Sequence, residues 1–163
     1  MAEVFALVAI LVGQYRQSKY AASPAEVDEP YARKLLAALI GRHGGLHDGA
    51  GFVAVSEHDG VVTGFIAGSL TRVYEVGTHL AANDLFLVTG SGARAADAAR
   101  LFDAYVAWAA GNPKVLEIRA SWTDAVTGAD KIERLYRRKG FTRVGAIWSR
   151  APGGAPASEG EEE

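Results

Sequence analysis

The chain has 163 residues, 49% of them apolar and 22% charged, a balance that fits one soluble domain able to bury a core without staples. It contains no cysteine, which excludes a disulfide scaffold, a thiolate metal site and a cysteine nucleophile, and permits a reducing cytoplasm. The formal net charge of -2 gives no reason to expect a nucleic-acid partner, although Lys131, Arg134, Arg137, Arg138, Lys139, Arg143 and Arg150 form a local basic stretch ahead of an acidic end.

The first apolar run, Val4 to Val12, is too short to span a membrane and has neither a basic lead nor a small-residue cleavage site. Val4, Leu7, Val8, Leu11 and Tyr15 recur at three- and four-residue spacing, which predicts a buried helix over Val4 to Tyr20. Ser23-Pro24-Ala25-Glu26 has the form of a capping box with proline at the first helical position. Pro30 then restarts or kinks this second helix, and Leu35, Leu36, Leu39 and Ile40 mark its buried face. Arg42 to Gly51, with four glycines and two histidines, is a loop.

The period changes at Phe52. The runs Phe52 to Val55 and Val61 to Ala67 flank His58-Asp59-Gly60, and Asp-Gly between two β-rich runs predicts a hairpin. Leu85 to Val88 reads as a short central strand. It enters a Gly/Ser loop and then a helix with Ala98, Leu101, Phe102, Tyr105, Trp108 and Ala109 on one side, ended by Gly111-Asn112-Pro113. Val115 to Ala120 is another strand, about 129–139 a helix, and Phe141 to Ser149 a last strand. A strand-helix-strand crossover beside an antiparallel hairpin implies an α/β domain over residues 1–150, three layers α/β/α with a mixed central sheet. The Gly-, Pro- and Glu-rich tail, 151–163, is expected to be disordered.

Two places could carry chemistry. In the first, the strand end Leu87-Val88 leads through Gly90, Ser91, Gly92, Ala93, Arg94, Ala95 and Ala96 into a helix. A loop that opens a helix points backbone N–H groups outward at the positive end of the helix dipole, which makes an anion site, and Arg94 can add a charge-assisted contact. It is neither a Walker A loop nor G-x-G-x-x-G, and a plain connection containing glycines would look similar. The second place is Leu135-Tyr136-Arg137-Arg138-Lys139-Gly140-Phe141. Gly140 suits the left-handed position after a helix, with Phe141 folding back on Leu135 and Tyr136. Helix termination accounts for Gly140 and Phe141 but not for an ionisable phenol at position 136. His43, His47, His58 and His79 are scattered without metal-site spacing and read as surface residues.

The segment 135–141 resembles the end-of-domain signature of the GNAT acetyltransferases, a tyrosine four residues before Gly-Phe, and the order of elements around it agrees. The segments 88–101, 102–109 and 140–145 are similar in particular to small stand-alone GNAT-like proteins of phages and prophages. The resemblance covers nearly the whole chain up to Arg150. It implies an N-acetyltransferase with acetyl-CoA as co-substrate and no metal. The loop from Gly90 to Ala96 would hold the pyrophosphate, and the pantetheine arm would lie between the strands Leu85 to Val88 and Val115 to Ala120, with Leu87 and Val88 among the cofactor-binding residues. Tyr136 would be the general acid that protonates the leaving thiolate. Glu117 is carried as the base, with Asp84, Glu75 and His79 as the other candidates. The acceptor would be an amine of a small molecule or protein, with neither nucleic acid nor membrane as partner, a homodimer left open, and a cytoplasmic location.

Two departures from the family pattern stand out. Counting from Val88, the expected Arg or Gln falls on Ala93 and the later small positions on Ala96 and Ala98, with Arg94 one residue late. Alternatively Arg94 is the motif arginine, and Asp97 then occupies a glycine position, where it would crowd and repel a phosphate. The family also begins with a β-strand, whereas here Met1-Ala2-Glu3 leads straight into helix. The irregular loop favours a rival reading, a degenerate GNAT fold acting as a binding module. A third, a nucleic-acid binder using the basic helix from Lys131 to Lys139, predicts steep salt-dependent binding.

Overall fold

The computed structural model describes residues 2–23, 25–122 and 129–145. Helices α1 (Ala2–Tyr15) and α2 (Glu29–Gly41) precede the strands β1 (Gly51–His58), β2 (Val61–Arg72) and β3 (Leu80–Thr89). Helix α3 (Asp97–Ala110), strand β4 (Val115–Arg119) and helix α4 (Ala129–Arg138) follow. The four strands form one sheet in the order β1-β2-β3-β4, antiparallel at the first two junctions and parallel at the third.

Each face of the sheet is covered. Leu7 and Val8 of α1 and Leu36 and Leu39 of α2 pack on Phe65, Ala67 and Val88. On the other face Leu101, Phe102, Tyr105 and Ala109 of α3, with Leu135 and Tyr136 of α4, pack on Phe52, Ile66 and Leu70. Buried residues of α3 recur at three- and four-residue spacing, the stripe a helix needs to lie on a sheet. Burying a leucine such as Leu36 contributes on the order of 2 kcal/mol, and its side chain is fully covered.

The expected α/β/α layering is present, with several boundaries shifted. The first helix stops at Tyr15 instead of Tyr20, because the Ser18 hydroxyl donates to Tyr15 O (2.7 Å) and accepts from Tyr20 N–H (3.2 Å). A short 3-10 turn, Lys19–Ala22, follows. The capping box at Ser23 starts no helix; Asp28 caps α2 by accepting the Tyr31 N–H at 2.9 Å, and Pro30 sits in the first turn, where its missing N–H costs nothing. Ile40 is exposed, while Leu36 and Leu39 are buried. The strand expected over Leu85 to Val88 extends back to Leu80 through Ala81-Ala82-Asn83-Asp84, residues of poor strand propensity held by pairing, Ala81 to Asn83 on both sides and Asp84 to β2. Residues 141–145 are not in a strand; the rest of the expected last strand and the tail lie outside the described residues.

Two turns hold as expected. Asp59 (φ 52°) and Gly60 (φ 78°) make a two-residue hairpin turn with both residues in the left-handed region. Helix α4 ends in a Schellman motif: Gly140 (φ 82°) donates to Arg137 O at 3.1 Å and Phe141 to Tyr136 O at 3.0 Å. Phe141 then packs against Phe102 and Tyr136, with ring centroids at 5.2 and 6.0 Å. Helix termination thereby fixes the position of Tyr136 in the core.

Gly68, the β2 residue paired with Asp84, lies under the Tyr105 ring. A Cβ there would stand 2.7 Å from the ring and 3.0 Å from Asn83 O. Gly68→Ala is therefore expected to destabilise the domain by about 1–3 kcal/mol, as overpacking does, read as a lower urea midpoint at unchanged m-value.

Candidate active site

Strands β3 and β4 are paired from Leu80↔Val115 to Asn83↔Arg119, although β3 runs on to Thr89. From Asp84 onward β3 keeps its ladder to β2, and among the described residues its other edge has no strand partner. Bulges mark the parting. Leu85 is the extra residue of β3 opposite the Ala67–Gly68 step, and Leu116 is the extra residue of β4 opposite Leu80–Ala81. A bulge bends its strand and re-aims the neighbouring side chains. Here it leaves Leu85 and Leu116 exposed and lets Asp84 meet the chain that leaves β4.

Asp84 is the centre of a small polar cluster. Its Oδ1 accepts the N–H and hydroxyl of Ser121 (2.8 and 3.0 Å), and its Oδ2 accepts the hydroxyl of Tyr136 at 3.2 Å. That hydroxyl also lies 3.2 Å from Ser121 O. Burial holds the Asp84 carboxyl above the usual carboxylate value of 3.8, and the donors from Ser121 and Tyr136 offset this only in part. Burial, reinforced by the Asp84 charge, pushes the Tyr136 phenol well above its usual range, so it remains protonated. Tyr105 donates to Arg119 O at 2.9 Å and so ties α3 to the last residue of β4.

Glu117 is not in this cluster. The Leu116 bulge resets the alternation of β4, and the Glu117 carboxylate takes the Arg119 guanidinium at 2.8 Å, with both side chains 42% exposed. Glu75 and His79 lie on the β2–β3 connection. Of the four candidate bases, only Asp84 has a hydrogen bond to Tyr136.

The loop after β3 has a mixed set of donors. Gly90 donates to Thr63 O (2.7 Å) and Ala93 to Gly90 O (3.1 Å), which fold the loop onto β2. Among the described residues the N–H groups of Ser91, Gly92, Ala95 and Ala96 have no protein acceptor, and Arg94 is exposed. The Asp97 side chain is 2% exposed and turned inward: its Oδ2 accepts the Arg94 N–H and His58 Nε2, each at 2.7 Å. The His58 hydrogen bond, and then that from Arg94, hold the Asp97 carboxyl below the usual carboxylate range. The carboxylate accepts, so Nε2 is the protonated nitrogen of His58. His58 is therefore not the plain surface residue that its position in the sequence suggested. The pair spans 39 positions, and no local pattern announces it.

A cavity of about 510 Å³ lies along the parted edge, between β3, the α1–α2 segment and α4. Asp84, Leu87, Val88 and Tyr136 are among its lining residues, and it reaches Val88 two residues before the glycine loop begins. Such a size suits a small-molecule site. Sequence reasoning did not find Ser121, or Tyr20 and Tyr31 at the mouth, because none belongs to a motif. Among the described residues no three His, Asp or Glu side chains group as a metal site, and no helix is long and apolar enough to cross a membrane.

No protein-family model and no curated protein matches the sequence. Solved structures do match. A ribosomal-protein-alanine N-acetyltransferase from Brucella melitensis superposes with a TM-score of 0.65 at 20% identity, over 88% of this chain and 82% of that one. The fold is GNAT-like. An aminoglycoside acetyltransferase from an uncultured soil metagenomic sample, in complex with sisomicin, gives 0.59 at 12% identity over 93% and 90% of the two chains. A transcriptional regulator from Bacillus halodurans gives 0.64 at 12% identity over 88% and 92%. At these identities the likeness is one of fold, a fold shared by acetyltransferases and a transcriptional regulator.

Removing the His58 partner would leave the buried Asp97 carboxylate with the Arg94 N–H alone. His58→Ala is therefore expected to lower the melting temperature by several degrees at pH 7. Asp97 is more acidic folded than unfolded, so its contribution is present above the unfolded carboxylate value, about 3.9, and lost as pH falls through the folded one. Melting curves of wild type and variant should converge in that acid range.

Proposed function

We propose that the protein is an acyl-CoA-dependent N-acyltransferase in which Asp84 accepts the proton of the acceptor amine and Tyr136 protonates the leaving thiolate. The observation that carries this is the Asp84–Tyr136 hydrogen bond, 3.2 Å long, at the vertex of the parted strands and on the wall of the cavity. Acetyl-CoA would supply a thioester whose carbonyl takes the amine and releases a thiolate. The N–H groups of Ser91, Gly92, Ala95 and Ala96, which have no protein acceptor among the described residues, suit its pyrophosphate together with the Arg94 side chain, and the β3 edge at Leu87 and Val88, without a strand partner among the described residues, suits an extended amide arm.

Proton management follows from the two environments. A carboxyl lifted above its usual value is a stronger base than an exposed aspartate; the phenol is a weaker acid than a free tyrosine, so it passes its proton to the thiolate as the neighbouring Asp84 takes up the proton of the amine and loses the negative charge that holds the phenol up. We assign the base to Asp84 and not to Glu117, whose carboxylate is paired with Arg119. The phage and prophage likeness of segments 88–101, 102–109 and 140–145 rests on sequence alone.

A second reading, a binding module without turnover, is favoured by one observation: Asp97 already takes the Arg94 N–H. Against it, the Asp97 side chain points away from solvent and toward His58.

Thiol release from acetyl-CoA with an amine acceptor separates the two. Tyr136→Phe should lower kcat by about 100-fold or more, the usual share of a general acid, with acetyl-CoA affinity unchanged. Since the Asp84 carboxyl is raised, kcat/KM should climb with pH through a value above 3.8 as it ionises, and Asp84→Asn should abolish that limb. No thiol release with any amine, at saturating acetyl-CoA, would leave the binding-module reading standing.

A further inference from the structure

We infer that the acceptor is a monoamine carried on an apolar body about the size of an aromatic ring; this rests on the acyl-transfer reading of the same cleft. Four large apolar side chains, Tyr20, Tyr31, Leu85 and Trp122, stand at one cavity mouth with exposures of 48, 62, 44 and 40%. They come from four separate parts of the chain, so the grouping is a product of folding and not of one apolar run. Phe86 and Leu35 continue the apolar wall inward. Exposed apolar side chains that converge on a cavity are the usual mark of a ligand body that will cover them.

The charges fix the sign of the ligand. Among the described lining residues the only charged ones are Asp28 and Asp84, both carboxylates; there is no lysine or arginine. Asp28 uses Oδ1 to cap α2, and among the described residues its Oδ2 has no protein partner. Asp84, at the inner end of the cavity beside Tyr136, supplies the carboxylate that a substrate ammonium would face. A carboxylate or phosphate on the acceptor would enter with no counter-ion. A polyamine would place several ammonium groups against tyrosine, leucine and tryptophan, with two carboxylates to answer them, and burying the rest unpaired is costly. One amine on an apolar body satisfies both the wall and the carboxylates.

Calorimetric titration tests this without turnover. Phenethylamine, 3-phenylpropionate and spermidine are each titrated into the full chain, alone and with CoA present. Phenethylamine should bind at least about tenfold more tightly than the other two, the effect of about one lost charge-assisted contact. Tyr31→Ala, at an exposed position that the fold tolerates, should weaken phenethylamine about tenfold and leave CoA binding alone. Equal or tighter binding of the acid or the polyamine, or no phenethylamine binding in either condition, overturns the inference. If phenethylamine is preferred but CoA does not bind, the cavity assignment stands and the acyl-transfer reading falls. If CoA binds and the preference is missing, the inference falls by itself.

Discussion

A parallel pair of strands exposes backbone hydrogen-bonding groups wherever one strand stops, and here β4 stops pairing at Arg119 while β3 continues for six residues beyond Asn83. Everything in the candidate site follows from how that interruption is held. Left alone, the two strands would close up or fray, because unpaired backbone next to an apolar core is costly. Three features hold them apart. The bulges at Leu85 and Leu116 bend both strands, the Tyr105 hydroxyl fixes Arg119 O, and Ser121 is pulled to Asp84 by its N–H and hydroxyl. The gap is thus held at its vertex by Tyr105, Ser121 and Asp84, the last being the group proposed as the base.

The second support comes from the helix layers. Tyr136 reaches Asp84 because α4 ends where it does, with Gly140 in the left-handed region and Phe141 folded onto Phe102 and Tyr136. Phe102 packs on Tyr136 at 4.8 Å between centroids, so α3 sets the phenol's depth. On the opposite face α1 and α2 supply the outer wall of the cavity, and the Ser18 and Asp28 caps determine where that wall turns. A phenol and a carboxyl raised by burial are then the direct consequence of placing polar groups at the edge of a closed core.

Much of this was legible in the sequence, where local chemistry decides. Asp59-Gly60 makes its turn, Gly140-Phe141 its helix stop, and the α3 stripe its core face, since each depends on neighbours within a few residues. Tyr136 stood out because termination did not explain it. Asp84, the proposed base, did not: Glu117 looked as good in sequence, and the Leu116 bulge and the Arg119 pair set the two apart. His58 and Asp97 meet across 39 positions, and Trp122 lines the same cavity as Tyr20 and Tyr31 from a still more distant part of the chain. Such contacts are made by the register of the sheet and carry no local signal. The same limit explains Ser23, whose capping pattern was sound but was overruled by Asp28 and Pro30 a turn later.

In the proposed enzyme the outer edge of β3, which has no strand partner among the described residues beyond Asn83, and the loop after it form one acyl-CoA cleft with Asp84 and Tyr136 at its closed end. Hydrogen exchange of the full chain with and without acetyl-CoA tests this, because it reports on the backbone amides along that edge and loop. Slower exchange concentrated in residues 84–96 is the predicted result. Unchanged exchange there at saturating acetyl-CoA, or protection confined to other segments, would contradict it.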